Sequence, residues 1–182
     1  MDIKTTLKDK TLYLLGAMVL IFLLVALIVY YRVRNKSISV NADLNMGKPD
    51  NHNVGNIRTS NIFWQGEVTV PGEAFEHFKS DQYGFRAMFK LLTNYVIGGY
   101  FNIKQIITHY APPTDGNNTE AYIANISSAS GLLSSDVLTV ELLQENNGAL
   151  FKKIVKAMSK VERGRVYDDS IINAGYQLYL QG

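Results

Sequence analysis

One carboxylate in this chain stands where an acid catalyst would be useful. Glu162 lies in "AMSKVERG", residues 157–164, directly after the last residue of the apolar stripe Leu150, Ile154, Val155, Met158 and Val161. A carboxyl against the edge of an apolar face is desolvated, which raises its pKa and makes it a usable proton donor near neutrality. The partial negative charge at a helix C-terminus acts in the same direction. The plainer alternative is a solvent-facing Glu in a last helical turn, paired with Lys160 or Arg163, and the local sequence leaves both open. A second cluster, Glu73, Glu76 and His77 in "EAFEHF", has the residue types of an acid–base or metal group, but its spacing also fits a solvated face. The three His (52, 77 and 109) are scattered, and there is no Cys, no Gly-rich phosphate loop and no Gly-x-Ser-x-Gly elbow. No metal site and no cofactor is therefore expected.

The elements that must position Glu162 can be read from helical periodicity. Ser80-Asp81 caps a helix carrying Phe85, Met88, Phe89, Leu92 and Val96, which stops at Gly98-Gly99. Ile103, Ile106, Ile107 and Tyr110 form a shorter face, closed by Pro112-Pro113. The stretch "THYAPPTDGNNTEAY", residues 108–122, then connects to a third helix capped by Asn118 or Thr119 and bearing Tyr122, Ile123 and Ile126. A fourth helix is expected from Asp136 to about Gln144 after Ser134-Ser135, a fifth from Leu150 to Gly164, and a sixth opens at Asp168-Asp169-Ser170. Before them, "IFWQGEVTV" at 62–70 predicts a short hairpin or irregular strand pair closed by Pro71-Gly72. The fold class is mainly α, with a small β element.

The sharpest compositional event lies at the N-terminus. Residues 11–31, "TLYLLGAMVLIFLLVALIVYY", contain no charge. At 1.5 Å rise per residue, about 21 residues span about 31 Å, the thickness of a bilayer core. The run is too long for a signal-peptide core, and "YYRVRNKS" follows it where a small-residue cleavage site would stand, so an uncleaved anchor in a lipid bilayer is expected. Lys4, Lys8 and Lys10 precede it and Arg32, Arg34 and Lys36 follow, so the positive-inside rule gives no orientation. The expected organisation is a transmembrane anchor over 1–34, a polar linker over 35–55 and a soluble α-rich domain over 56–182. A net charge of +2 removes any overall drive towards nucleic acid, and no nucleic-acid partner is expected.

Several phrases occur in order: "GNIR" at 55–58, Trp64-x-Gly66, Phe75-x-x-Phe78, Gly84-x-Arg86-Ala87, "LLTNY" at 91–95, Ile106-Ile107-x-x-Tyr110-Ala111-Pro112-Pro113, and Asn117-Asn118-Thr119-x-x-Tyr122. This set, over roughly residues 53 to 176, resembles the virion structural proteins of corticovirus-like, membrane-containing phages, relatives of which occur in prophages. Val54 stands where that family often has Pro, Tyr110 replaces a Trp, Asp115-Gly116 replaces Glu-Asn, and Val161-Glu162-Arg163-Gly164 replaces His-Glu-Asn-Gly.

The resemblance implies a virion protein in the internal membrane of a particle. It also extends to lysozyme-like muramidases and lytic transglycosylases, which place an acid Glu at the end of a core helix. On that likeness Glu162 is the acid, and Tyr110, Asn117, Asn118 and Tyr122 form the wall of a sugar groove, in an α+β lysozyme-like domain that cleaves or binds peptidoglycan during host penetration. The alternatives are a non-enzymatic virion protein joining the membrane to capsid or vertex proteins, and a bacterial inner-membrane protein with a periplasmic wall-binding domain.

Overall fold

The computed structural model describes residues 50–182, which form one compact unit, Asp50–Gly182. The apolar run at 11–31, and with it the anchor and most of the linker expected from sequence, lies outside the described residues. Among the described residues no helix is long and apolar enough to cross a membrane.

The unit is built on five α-helices: α1 (Asp81–Ile97), α2 (Ile103–Tyr110), α3 (Thr119–Ser130), α4 (Val140–Arg163) and α5 (Asp169–Leu180). A short 3-10 turn, Pro113–Asp115, joins α2 to α3. The caps explain the boundaries. Asn102, Asn118, Thr139 and Asp168 each accept a hydrogen bond from a backbone N–H in the first turn of the helix that follows, satisfying a donor that would otherwise be orphaned. Gly131 and Gly164 end α3 and α4 in the left-handed conformation.

Helix α1 is the centre. Nine of its residues are buried, among them Phe85, Met88, Phe89, Leu92 and Val96, and its most extensive partner is α5. The Phe89 ring meets Phe151 of α4 at 4.9 Å and Tyr176 of α5 at 5.1 Å, both edge-on. This is the arrangement aromatic quadrupoles favour. Beneath them, the Thr93 hydroxyl lies 2.9 Å from the Tyr179 hydroxyl, which also accepts from Gln144.

Helix α4 is interrupted where the sequence places a gap between its fourth and fifth helices. Asn146, Asn147 and Gly148 all have positive φ, and the three left-handed residues break the helix after 144 and let it resume at 149. Asn and Gly are the residues that reach this region at least cost. A Cβ at Gly148 would also fall 2.3 Å from the Tyr176 ring, so both conformation and space require the glycine.

Three expectations need correction. The fourth helix begins at Val140, not Asp136, because residues 134–138 are held by other partners. Lys104 N–H donates to Ser134 O at 3.0 Å and Leu138 N–H donates to Phe101 O at 2.7 Å, which commits the segment to the start of α2. The small β element is not a hairpin over 62–70. Among the described residues there is no strand, only two isolated antiparallel bridges, Arg58 with Phe75 and Glu67 with Phe78. The chain folds back over a longer span than a tight turn would give. Finally, residues 51–55, placed in the linker by composition, are packed into the domain. Asn53 is fully buried and acts as a surrogate strand: its Oδ1 accepts from Ile57 N–H while its Nδ2 donates to Ile57 O and Glu76 O.

Gly175 sets the spacing between α1 and α5. A Cβ there would stand 2.5 Å from Phe85 Cβ and 2.9 Å from Gln82 O. Alanine is the better helix former by ~1 kcal/mol, but overpacking a tight contact costs ~1–3 kcal/mol. Gly175→Ala should therefore lower stability by ~1–2 kcal/mol in urea denaturation. Gly131→Ala, with no atom within 4 Å of the added Cβ, should lose only the ~1 kcal/mol of its left-handed backbone. A Gly175→Ala protein as stable as the native one would refute the close-contact reading.

Candidate functional site

Glu162 sits in the last turn of α4, half-buried, at the meeting of three elements. From α3, the Tyr122 hydroxyl donates to its Oε1 at 2.9 Å. From the loop before α1, Asn56 Nδ2 donates to its Oε2 at 3.1 Å and to its backbone oxygen at 2.8 Å. Asn56 has a positive φ of 47°, a conformation Asn tolerates better than most residues, and this backbone accompanies the placement of its amide against the helix end. The pairing with Lys160 or Arg163 that the sequence allows is not formed. Arg163 instead reaches Asp50 at 2.8 Å and Asn56 Oδ1 at 3.4 Å.

Two clefts adjoin at Glu162. The larger, about 500 Å³, is lined by Asn56, Trp64, Tyr95, His109, Tyr110, Asn117 and Glu162 among others. The smaller, about 360 Å³, is lined by Asn117, Asn118, Ala121, Tyr122, Asn125, Val161 and Glu162. The fold thus brings together the five residues that the lysozyme-like likeness assigns to the groove: Tyr110, Asn117, Asn118, Tyr122 and Glu162. Each of them, however, makes a hydrogen bond within the fold. Tyr110 donates its hydroxyl to Gly55 O. Asn117 Nδ2 donates to Pro112 O at 3.1 Å, Asn118 Oδ1 caps α3 by accepting from Ala121 N–H, and Tyr122 is committed to Glu162. The rings of Tyr110 and Tyr122 stand edge-on, 6.5 Å apart.

The electrostatics follow from this packing. Burial pushes the Glu162 carboxyl above the ordinary carboxylate value, and the donors Tyr122 and Asn56 offset only part of the rise. Tyr122 is itself raised far above an ordinary phenol, first by burial and then by neighbouring Tyr110 and Glu162, so it stays a hydrogen-bond donor at any physiological pH. Burial, and then Glu162 and Tyr95, shift Tyr110 upward as well. Two donors aimed at the two carboxylate oxygens suit the ionised form as an acceptor. Protonated Glu162 can keep the arrangement only by donating back to the Tyr122 hydroxyl, which can accept as well as donate.

Asn56 and Arg58 belong to the site although nothing but their place in the phrase "GNIR" distinguishes them in the sequence. Arg58 bridges the larger cleft to Asp115 at 3.4 Å, an exposed pair. The signal was present as a recurring phrase; its meaning needed the contact between residues 56 and 162, which no local pattern encodes. The Glu73-Glu76-His77 group does not form a solvated face. Glu76 is buried, accepts from Ser60 N–H at 3.0 Å, and is pushed upward chiefly by that burial. Among the described residues, one other set of potential ligands converges, Asp50, His52 and Asp81. Arg165 lies 2.7 Å from Asp50 and 3.4 Å from Asp81, so the set reads as an ion-pair cluster already carrying its cations.

No family model matches the chain. Over 119 residues it is 29% identical to Protein P5 of Pseudoalteromonas phage PM2, an alignment covering 63% of this chain and 68% of that relative. The chain is therefore similar to a phage protein, in agreement with the ordered phrases that resemble phage virion proteins.

The raised carboxyl of Glu162 has a measurable consequence. Its folded-state pKa exceeds the ordinary 4.5, so the folded protein holds that proton more tightly than the unfolded chain does. Below the ordinary value both states are protonated and Glu162 costs nothing; as pH rises through the folded value, ionisation in a half-buried site opposes folding. Wild-type stability minus that of Glu162→Gln should thus decrease as pH rises from 4 to 8 in a series of urea titrations. A difference that grows with pH would contradict the assignment.

Proposed function

We propose that this chain is a structural protein of a phage virion, held in a membrane by residues 11–31, whose helical domain links that membrane to neighbouring capsid or vertex proteins. The observation that carries the reading is the internal use of the site's polar groups. Tyr110, Asn117, Asn118 and Tyr122 each spend a hydrogen bond on holding the loop, the helix cap or Glu162 in place. Glu162 receives two donors that favour its ionised form. A carboxylate so held ties the end of α4 to α3 and to the loop before α1. The similarity to Protein P5 of phage PM2 and the ordered phage phrases support the virion setting.

A second reading rests on one specific observation. Burial raises the Glu162 carboxyl, and the group opens onto two adjoining clefts. A lytic transglycosylase needs one such acid to protonate a glycosidic oxygen, since the sugar itself closes the second bond. In this version the domain is lysozyme-like, Glu162 is the acid, and the 110–122 segment holds the glycan of peptidoglycan. A hydrolase tethered at a membrane would act at high effective concentration on the adjacent wall.

Zymography of the full chain in detergent separates the two. The structural reading expects no clearing of peptidoglycan by the native protein or by Glu162→Gln, together with crosslinks to capsid or vertex proteins in intact particles. Clearing by the native protein that Glu162→Gln abolishes would replace it with the muramidase reading.

A further inference from the structure

On α1, beside its contact with Gly175 of α5, lies a buried cation with no ion-pair partner among the described residues. Arg86 is 5% exposed, its Nε–H has no hydrogen-bond partner among the described residues, and none of the ion pairs found there includes it. Burial lowers the pKa of its guanidinium, and neighbouring Tyr83 offsets part of the drop. A buried charge with one side unsatisfied is unfavourable and calls for an explanation. Arg86 opens onto a pocket of about 390 Å³, which it shares with Ile62, Phe63, Trp64, Gln65, Lys90, Asn94 and Gly182. Arg86, Lys90 and Asn94 are spaced four apart on α1 and so present one stripe of donors. No Asp or Glu side chain lines the pocket.

The rim adds a second character. Phe63 is 81% exposed and Ile62 51% exposed, both in the irregular segment that forms the wall opposite α1. Basic donors at the floor and bare apolar side chains at the rim match the two layers of a bilayer surface, phosphate outside and acyl chain beneath. An acidic peptide would satisfy Arg86 equally well, but the sequence favours lipid. Residues 11–31 are an uncharged run, and about 18 residues separate them from the described domain.

We propose that the Arg86–Lys90 pocket is a docking site for the phosphate of an anionic phospholipid headgroup, with Phe63 and Ile62 inserting among the acyl chains beside it. This rests on the membrane-anchored reading above for its local concentration of lipid. Such docking would hold the domain against the bilayer and fix which face remains free for a partner.

The chain carries its own probe. It has one tryptophan, Trp64, which lines this pocket. The test measures quenching of its fluorescence by brominated lipids in vesicles of phosphatidylcholine, with or without phosphatidylglycerol. Full chain is used, and flotation is scored in parallel. Floating protein whose Trp64 is quenched preferentially in the anionic vesicles is expected. Lys90→Gln, an exposed position, should reduce the anionic preference about fivefold, from ~1 kcal/mol per basic residue near a charged surface. Arg86→Gln should reduce it at least as much, and Phe63→Ser should reduce quenching in both vesicle types.

Floating protein with unquenched Trp64, or quenching unchanged in Lys90→Gln and Phe63→Ser, overturns the docking site and leaves the anchor intact. Quenching by anionic vesicles without stable flotation supports the site and overturns the anchor. Protein that neither floats nor is quenched overturns both. A Trp64 response to millimolar inorganic phosphate, with no quenching by lipid, replaces the headgroup with a free anion and overturns the proposal.

Discussion

The packing of α1 against its neighbours is the constraint on which the rest of the domain depends. At Gly175 the α5 backbone approaches α1 so closely that a single methyl group would strike Phe85 and Gln82. On another face of α1, Gly84 leaves no room for a Cβ beside His52 O, 2.1 Å away, so the loop before the helix lies directly on it. With both contacts made, Phe89 falls between Phe151 and Tyr176, and Leu91 and Tyr95 form the wall of the larger cleft. Arg86 and Lys90 are turned to the opposite pocket by the same helical register. Movement of α1 would disturb the core, the cleft and the basic pocket together.

Glu162 does for the chain's distant segments what α1 does for its helices. Through Tyr122 and Asn56 it joins α3, the end of α4 and the loop at 50–57, separated by 40 and 106 residues in sequence. Its neighbours Arg163 and Arg165 extend the junction through Asp50, which both contact, and Arg165 continues it to Asp81 at the start of α1. A half-buried carboxylate with two donors holds a geometry at some electrostatic cost. That same cost raises its pKa, so one arrangement serves as a structural tie and resembles a poised acid. Both partners donate to the ionised carboxylate, and the protonated form can return a proton only to the Tyr122 hydroxyl.

The parts of the fold readable in sequence were those encoded locally. Helix α3 runs between the caps Asn118 and Gly131 and α5 starts after the cap Asp168, while α1 runs from Ser80, whose side chain makes no capping bond, to Gly98. The Asn146-Asn147-Gly148 break was legible because those residues are the ones that tolerate positive φ. The delayed start of α4 was not, because Ser134 and Leu138 are held by hydrogen bonds to residues some 30 positions away. The short hairpin or irregular strand pair expected over 62–70 is absent among the described residues for a similar reason. The β-branched and aromatic residues of segment 58–78 have strand propensity, but Asn53 and Glu76 bind its backbone with side chains in place of a second strand.

The sequence by itself determined where the helices lie, that residues 11–31 carry no charge, and which residue types could form a site. Only the tertiary structure decided what those residues are used for. Asn56, which no periodicity distinguishes, meets Glu162 because the loop at 50–57 is laid across α1. Arg86 reads on paper as one more charged helical residue, yet folding buries it with its Nε–H unpartnered and with no ion pair among the described residues. Local free-energy preferences are set by neighbours a few positions apart. Desolvation and hydrogen-bond direction depend on which segments meet in space, and these gave Glu162 and Arg86 their character.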